Sequence, residues 1–417
     1  MAARGFGWLF AALALTAPSL ACAPGPSSGT ATIRIGFTSS QTGALAKEST
    51  EQTQGLRLWA EVVRAEGGLE VGAEKLGLEL ISYDDESRQD RVQQLYTRLI
   101  TEDGADFLIS PYSSASAAAA AVVTEQYGRT HVVVGAASDS IFARGYRHAF
   151  QVYSPASKYL TGALDLLKAT DPNAKRIALI NEKDPFSSDV IKATKEYADQ
   201  RGYQVVVYEG YDTGTADFAP LINKIAGEKP DAILGGGHFA DGSTLAKQLA
   251  EKQVKTGMVA LLVAPAVPEF AELGDASLGI VAPSQWEPQA AYSEAGAGAI
   301  GIPYAGPTVA AFTQRYHSRY GYDPGYHAAG GYATGLILER GIAETRSIEP
   351  AKVEGAIANM DLMTFYGRIK FDSEKDFGLQ VGHDMVYLQW RRGPAGLERQ
   401  IVWPQAAATQ KALYPKP

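Results

Sequence analysis

The chain has a single cysteine, Cys22, and no long run of basic residues among its 417 residues. One thiol cannot form an internal disulfide, so the folded domain depends on its packing. Lys and Arg number 38 against 46 Asp and Glu, a formal net charge of −8, and no basic run exceeds Arg391-Arg392. This balance disfavours nucleic acid and anionic lipid surfaces as partners.

The usual signatures of catalysis and cofactor binding are also missing. The sequence has no H-E-x-x-H, no C-x-x-C and no Walker A motif, and Gly235-Gly236-Gly237 lacks the spacing that cradles a pyrophosphate. The histidines show no ligand spacing; they are His131, His148, His238, His317, His327 and His383. We therefore expect no metal, no cofactor and no enzymatic activity.

The N-terminus has the layout of a secretory signal peptide. Arg4 precedes an apolar stretch from Phe6 to Ala17, and small residues follow through Ala21-Cys22-Ala23. The apolar stretch is shorter than the roughly 20 residues of a membrane-spanning helix. The sequence thus predicts an exported protein, with residues 1–23 as signal peptide and residues 24–30 as linker.

Cys22 allows two outcomes at the cleavage site. The segment Ser19-Leu20-Ala21-Cys22 resembles a bacterial lipoprotein box, although Leu is usual where Ser19 stands. In that case Cys22 is lipidated, and acyl chains hold the protein at a membrane. Ordinary cleavage within Ala21-Cys22-Ala23 would release a free protein instead, and both readings stay open.

After residue 31, short β-branched runs alternate with amphipathic helical segments. Predicted strands cover 32–37, 78–83, 105–110 and 131–135, and predicted helices cover 49–65, 90–102 and 114–127. Such alternation predicts a parallel sheet with helices on both faces. A similar series begins near residue 175, so the fold class is α/β with two doubly wound, Rossmann-like lobes.

The C-terminal part departs from this alternation. Helices are predicted over 308–320 and 328–342, and a pair of strands over 367–371 and 384–390 closes the chain. We expect this part to complete the two lobes, since it is not a third complete lobe.

Polar residues follow the predicted strands where ligands bind in open α/β sheets. Gln41 follows the first strand, Tyr112-Ser113-Ser114 precedes an Ala-rich helix, and Ala136-Ala137-Ser138 opens another helical stretch. Free N–H groups and the dipole of a helix N-terminus favour a carboxylate. Ser114 could equally be a plain N-cap, and Asp139 could cap in place of Ser138.

Several segments together resemble the type I periplasmic binding proteins, specifically the branched-chain amino-acid (leucine-binding) group that serves ABC importers. The segments are IGFTSSQTGALA, GLRLWAEVVRAEGGL, SYDDES, LISPYSS, VVVGAASDSIFARGYRHAFQVYSPAS, RIALINEKDPFSSD and YGYDPGYHAAGGYA. Their order and spacing span nearly all of the chain after the leader.

The resemblance implies a three-segment hinge between two lobes. Lobe one would include residues 31–152 and 285–360, and lobe two residues 153–284 and 361–417. The resemblance also implies roles for individual residues of this chain. The hydroxyls of Ser113, Ser114 and Ser138 would meet the carboxylate of the solute, and the carbonyl of Ala136 its ammonium. Aromatic cover would come from lobe two, through Phe186 and the His238-Phe239 turn.

One position departs from the family pattern. Amino-acid binders often have an acid for the ligand ammonium where this chain reads Ala264-Pro265-Ala266-Val267. Asp241 is the nearest substitute, and Glu269 is expected at the surface. Gln41, His238 and Trp286 would add uncharged donors and a broad ring, although Trp286 could equally be a core residue. Aliphatic amino acids, aromatic acids and amides stay open as solutes.

The sequence therefore predicts an exported solute receptor that delivers a small carboxylate-bearing molecule to an ABC permease in the membrane. An exported α/β hydrolase using Ser138 with Asp139 or His238 is the alternative from another class. A sensory ectodomain of the same fold is a third.

Overall fold

The structure is a computed structural model, and it describes residues 1–3, 5, 7, 31–290, 292–394 and 396–417. Residues Thr32–Pro417 form one compact unit. The described residues that precede Thr32 contain no helix or strand. Cys22 and the predicted linker 24–30 lie outside the described residues.

Strands and helices alternate along the chain, with additional strands near its end. The strands are β1 (Thr32–Ser39), β2 (Leu69–Val71), β3 (Glu74–Asp84), β4 (Phe107–Ile109), β5 (His131–Val133), β6 (Ala149–Gln151), β7 (Arg176–Glu182), β8 (Gln204–Tyr211), β9 (Ala232–Gly236), β10 (Met258–Leu261), β11 (Ile280–Ser284), β12 (Tyr304–Ala305), β13 (Asp361–Thr364), β14 (Gly367–Lys370), β15 (Val386–Gly393) and β16 (Gly396–Trp403). The α-helices are α1 (Ala46–Ala65), α2 (Gln89–Thr101), α3 (Ser114–Gln126), α4 (Asp139–Phe142), α5 (Thr161–Thr170), α6 (Pro185–Gln200), α7 (Ala219–Glu228), α8 (Phe239–Glu251), α9 (Glu294–Ala299), α10 (Val309–Tyr320), α11 (Tyr326–Thr345) and α12 (Pro350–Ala358). Short 3-10 segments cover Ala156–Lys158, Ala264–Ala266 and Pro268–Ser277.

The strands form a six-stranded sheet in the order β2-β3-β1-β4-β5-β6 and a seven-stranded sheet in the order β16-β15-β11-β10-β9-β7-β8. The pairs β1–β3, β1–β4 and β7–β9 are parallel, whereas β2–β3, β11–β15 and β15–β16 are antiparallel. The predicted two-lobe α/β fold is confirmed, with antiparallel strands added at the edges of the sheets.

The patterns of buried residues explain why these segments adopt these structures. Ile33, Ile35 and Phe37 alternate along β1 and are at most 3% exposed, as expected for a strand inside a sheet. In α2, the buried residues Val92, Tyr96, Leu99 and Ile100 fall on one helical face. Each element therefore presents its apolar side to the layer beside it.

The two strands predicted to close the chain as a pair do not pair with each other. β14 lies with β12 and β13 in a separate three-stranded sheet, whereas β15 joins the seven-stranded sheet beside β11. The prediction was wrong because neither sequence run shows that its partner is another strand: β13 for β14 and β16 for β15.

Helices α1 and α11 pack so closely that only glycine fits at their contact. A Cβ added to Gly331 would lie 2.1 Å from the carbonyl oxygen of Gln52, and one added to Gly55 would lie 1.9 Å from that of Ala328. Both distances are far below van der Waals contact. The backbones of the two helices therefore touch.

The chain makes three crossings between sheets: from the six-stranded to the seven-stranded sheet after β6, away from the seven-stranded sheet towards β12 after β11, and from the three-stranded sheet back to the seven-stranded sheet after β14. Ser154, Gln285 and His383 each lie in one crossing and are hydrogen bonded to one another. The N–H of Ser154 donates to Gln285 Oε1 at 2.9 Å and its hydroxyl to the His383 carbonyl at 2.8 Å, while His383 Nε2 lies 2.6 Å from the Gln285 carbonyl. These three residues are called the hinge network below.

Candidate functional site

A small cavity lies where loops after strands of both large sheets face each other. Its volume is about 10 Å3, the space of one water molecule. It is lined by Tyr112, Ser114, Gly135, Ala137, Tyr153, Tyr159, Phe186, His238, Val263 and Tyr326. Five of these were predicted as ligand-binding residues, namely Tyr112, Ser114, Ala137, Phe186 and His238.

Ser114 links the loop that follows β4 to the loop that follows β5, both at the six-stranded sheet. It is the first residue of α3 and is 2% exposed. Its Oγ accepts hydrogen bonds from the N–H groups of Ala137 and Ser138, each at 3.1 Å. The serine hydroxyl and the start of a helix thus lie together at the cavity wall, an arrangement suited to an anion.

His238 supplies a positive charge from the side of the seven-stranded sheet. Its Nδ1 lies 2.8 Å from the hydroxyl of Tyr112, and its Nε2 lies 3.8 Å from Asp184 Oδ1. Burial alone would lower the pKa of His238, but Asp184, with Glu48 and Glu182, outweighs burial and raises this pKa to about 10. The ring is therefore an imidazolium at neutral pH, which complements a carboxylate.

The acids near His238 are mostly engaged with the protein itself. Asp241 accepts the N–H of His238 at 2.7 Å and the hydroxyl of Tyr211, so both of its oxygens are used. Asp184 caps α6 by accepting the N–H of Phe186 at 2.8 Å. Asp241, predicted as the substitute partner for an ammonium group, thus has a structural role as well.

Direct bonds join the two sides of the cleft. Glu48 Oε1 accepts the N–H of Phe239 at 3.0 Å, and the hydroxyl of Ser138 donates to Asp189. Lys47 forms an ion pair with Glu269, whose side chain is 25% exposed rather than fully at the surface as predicted. The cleft is therefore held closed by several polar contacts.

The other predicted residues lie beside the cavity or away from it. Ser113 occupies the N-cap position of α3 without a capping hydrogen bond from its side chain, and the Ala136 carbonyl accepts a hydrogen bond from Gln151 Nε2 at 3.4 Å. Gln41 is exposed, with its N–H bound to Asp84 Oδ1 at 3.0 Å.

Trp286 does not reach the cavity. Its Nε1 donates to the carbonyl of Phe365 at 3.0 Å, and its ring packs edge-on against Phe312 and Phe365. The ring belongs to an aromatic cluster of the core, which agrees with the alternative interpretation of Trp286 as a core residue.

The sequence reasoning missed several residues around the cavity. Glu48 lies in the first turn of α1, directly after β1, so the strand-end rule could have found it. Tyr326 lies in the YGYDPGYHAAGGYA segment. Tyr153 and Asp189 lie in two other segments of the resemblance, VVVGAASDSIFARGYRHAFQVYSPAS and RIALINEKDPFSSD. Tyr159 lies in none of these segments, and no signal separates it from an ordinary core residue.

Among the described residues, no helix combines the length and the apolar character that crossing a bilayer requires.

Ligand sites often lie in clefts between lobes, and this chain combines a two-lobe α/β fold with a cavity between its lobes. A family model described as periplasmic binding protein matches residues 32–395. The chain belongs to the periplasmic binding protein family, which confirms the resemblance found in the sequence.

Two curated relatives illustrate the likeness in sequence. An amino acid binding protein of Pseudomonas aeruginosa is 26% identical over 222 residues, 53% of this chain and 58% of that protein. The Leu/Ile/Val-binding protein homolog 8 of Brucella abortus is 23% identical over 397 residues, 93% of this chain and 94% of that protein. The chain thus matches little more than half of the first relative and nearly all of the second.

Two solved structures show the same fold. The leucine-binding protein LivK of Thermotoga maritima aligns with a TM-score of 0.73 at 19% identity, covering 90% of this chain and 99% of that chain. A solute-binding protein of an ABC transporter from R. palustris, in complex with benzoate, aligns with a TM-score of 0.73 at 19% identity. The alignment covers 90% of this chain and 98% of that chain.

Proposed function

We propose that the protein is the extracytoplasmic receptor of an ABC importer and captures a small carboxylate-bearing solute, an amino acid or a related acid, in its interlobe cleft. The observation that supports this proposal most directly is that Ser114, at the start of α3, and the His238 imidazolium line one cavity from opposite lobes. The cavity is too small for such a solute in this closed arrangement, so the solute enters when the lobes separate. Closure is then favoured by its additional contacts with lobe two.

The carboxylate would be held mainly from lobe one. Ser114 Oγ and the N–H groups of Ala137 and Ser138, which now bond to each other, are the donors nearest the cavity. Hydrogen bonds to a charged group contribute about 1.5–3 kcal/mol each. Two or three of them, with His238 opposite, account for much of the roughly −8 kcal/mol of a micromolar complex.

An aromatic acid is the second candidate solute. Tyr112, Tyr153, Tyr159, Phe186 and Tyr326 line the cavity, and such a wall suits a flat ring. The family position for an ammonium partner holds Ala264. The benzoate complex of a structural neighbour supports this candidate as well.

We propose that lobe one takes the helices of the C-terminal part, because α11 packs on α1. The three-stranded sheet joins β12 with β13 and β14. We therefore place the last boundary between lobes after Lys370 rather than at residue 360.

No catalytic step is part of this proposal. The hydrolase alternative relied on Ser138, whose hydroxyl bonds to Asp189, and on His238, whose Nδ1 bonds to Tyr112. Asp139 bonds to Ser157 at 2.7 Å. A nucleophile needs its base within hydrogen-bond reach, and the hydroxyl of Ser138 bonds to Ser140 and Asp189 rather than to Asp139 or His238, the partners that this alternative named.

The carboxylate site is tested with Ser114→Ala. A screen of aliphatic amino acids, benzoates and amides by thermal shift should first identify a solute that stabilises the protein. Calorimetry with that solute should then show affinity reduced by about 30-fold, equivalent to about 2 kcal/mol.

Ser116→Ala in the same helix is the matched control, since Ser116 is buried but does not line the cavity. It should bind as the unaltered protein does. Equal affinities for the two variants, or no solute in the whole screen, would contradict the carboxylate proposal.

We propose that export ends in lipid attachment at Cys22, close to a membrane permease. Cys22→Ser should move the protein from the membrane fraction to the soluble fraction of the expressing bacterium. Immunoblotting of the two fractions measures this change. A variant that stays with the membrane would argue for another anchor, and an unaltered protein found only in the soluble fraction for ordinary cleavage.

A further inference from the structure

Three side chains of metal-ligand type converge beside the cavity. Glu182 ends β7, Asp184 follows two residues later before α6, and His238 follows β9, the neighbouring strand. One donor atom from each lies within 4.8 Å of the other two. We infer that Glu182, Asp184 and His238 form a binding site for a divalent transition-metal cation.

The distances are close to those of a coordination sphere. Ligands at about 2.0–2.2 Å from a tetrahedral ion lie roughly 3.5 Å from one another. Asp184 Oδ1 and His238 Nε2 are already 3.8 Å apart. The Glu182 donor atom lies within 4.8 Å of the other two, so movements on the order of 1 Å would bring the three donors onto one ion.

Two buried carboxylate oxygens at this place have no hydrogen-bond partner in the protein. Glu182 is 5% exposed, and its Oε2 is buried without a hydrogen-bond partner. Asp184 Oδ2 is buried and unpartnered as well. A cation among these oxygens would satisfy both, because each is a buried acceptor without a hydrogen-bond partner in the protein.

The surroundings also orient the imidazole. Tyr112 bonds to Nδ1 of His238 at 2.8 Å, and Asp241 holds the N–H of the same residue at 2.7 Å. These contacts fix the ring with Nε2 towards Asp184. An outer partner on the second ring nitrogen is the usual arrangement of a histidine that binds a metal.

The donor set selects the type of ion. One imidazole with two carboxylates suits Zn2+ or Mn2+, whereas Mg2+ and Ca2+ prefer oxygen ligands alone. Three protein ligands also leave a coordination position open. The inference deepens the proposed function, because a bound cation would replace the His238 charge opposite the solute carboxylate.

Zinc binding by the exported chain, stripped with a chelator and without solute, tests this site. Titration calorimetry should give one saturable Zn2+ per chain, with Mg2+ giving none. Glu182→Gln, nearly the same in shape, should weaken Zn2+ binding at least tenfold. Cobalt(II) should give an absorption band in the visible range that Glu182→Gln and His238→Gln remove.

Two further variants separate the possible causes. His317 and Asp323 form an exposed pair at 2.9 Å, so His317→Gln should leave Zn2+ binding unchanged. Ser114→Ala should also keep the metal, so that a failed carboxylate site and a failed metal site are distinguishable. Thermal melting checks that each variant is folded.

No saturable Zn2+ binding, or binding that survives both Glu182→Gln and His238→Gln, would overturn the inference. Loss of Zn2+ only in His317→Gln would assign the binding to the surface and have the same consequence.

Discussion

Gly331→Ala is expected to destabilise the folded protein by about 3 kcal/mol. The added Cβ would lie 2.1 Å from the carbonyl oxygen of Gln52, and both atoms belong to rigid helical segments. The helices α1 and α11 would have to separate, which breaks contacts along most of their length. Urea unfolding followed by circular dichroism should show the midpoint shifted to lower urea.

Gly355→Ala is the matched control, because it makes the same change inside a helix. Gly355 lies in α12, and an added Cβ there would meet nothing within 4 Å. This variant should be unchanged or more stable by up to about 1 kcal/mol. Similar midpoints for the two variants would show that the helices do not depend on this close contact.

Acid should destabilise the protein through two buried histidines. Burial lowers the pKa of His131 to about 3 and that of His383 to about 4, against 6.5 for an unperturbed histidine. Both rings are neutral in the folded chain, while the unfolded chain takes up protons as the pH falls below about 6.5. Their contribution to stability is complete above that pH and is lost as the pH falls towards the folded values.

Between pH 7.5 and pH 4.5 the two histidines together should remove about 5 kcal/mol from the free energy of unfolding. His131→Gln should reduce this loss by about half, and His317→Gln, at an exposed position, should not change it. Urea unfolding at both pH values measures the difference. An equally large loss in His131→Gln would mean that His131 is protonated, or in contact with water, in the folded protein.

Much of the fold could be predicted because the pattern of apolar residues within a short segment indicates whether it is a strand or a helix. The apolar residues at every second position of β1, Ile33, Ile35 and Phe37, and the helical spacing in α2 are properties of neighbouring residues. The pairing of β14 with β13, by contrast, depends on contacts that no short segment contains. The sequence therefore predicted where strands lie better than which strands are neighbours.

The same limit applies to the site. Ser114 and His238 could be proposed because both follow strands, where ligands bind in such sheets. Glu182 and His238 are far apart in the chain and meet only because β7 and β9 are neighbours. Trp286 follows a strand too, but three-dimensional packing places it among the aromatic residues of the core.

The hinge network also touches the cavity, since Gln285 Nε2 donates to the hydroxyl of Tyr159 at 2.9 Å and Tyr159 lines the cavity wall. The three crossings are hydrogen bonded to one another, so a rotation of the lobes that moves one crossing is expected to move the other two. A substitution in the hinge network would change the fraction of molecules with an open cleft. The apparent affinity would change with that fraction, although no group in contact with a solute is altered. If the proposed function holds, the concentration at which the protein binds its solute is therefore set partly by residues that lie outside the binding site.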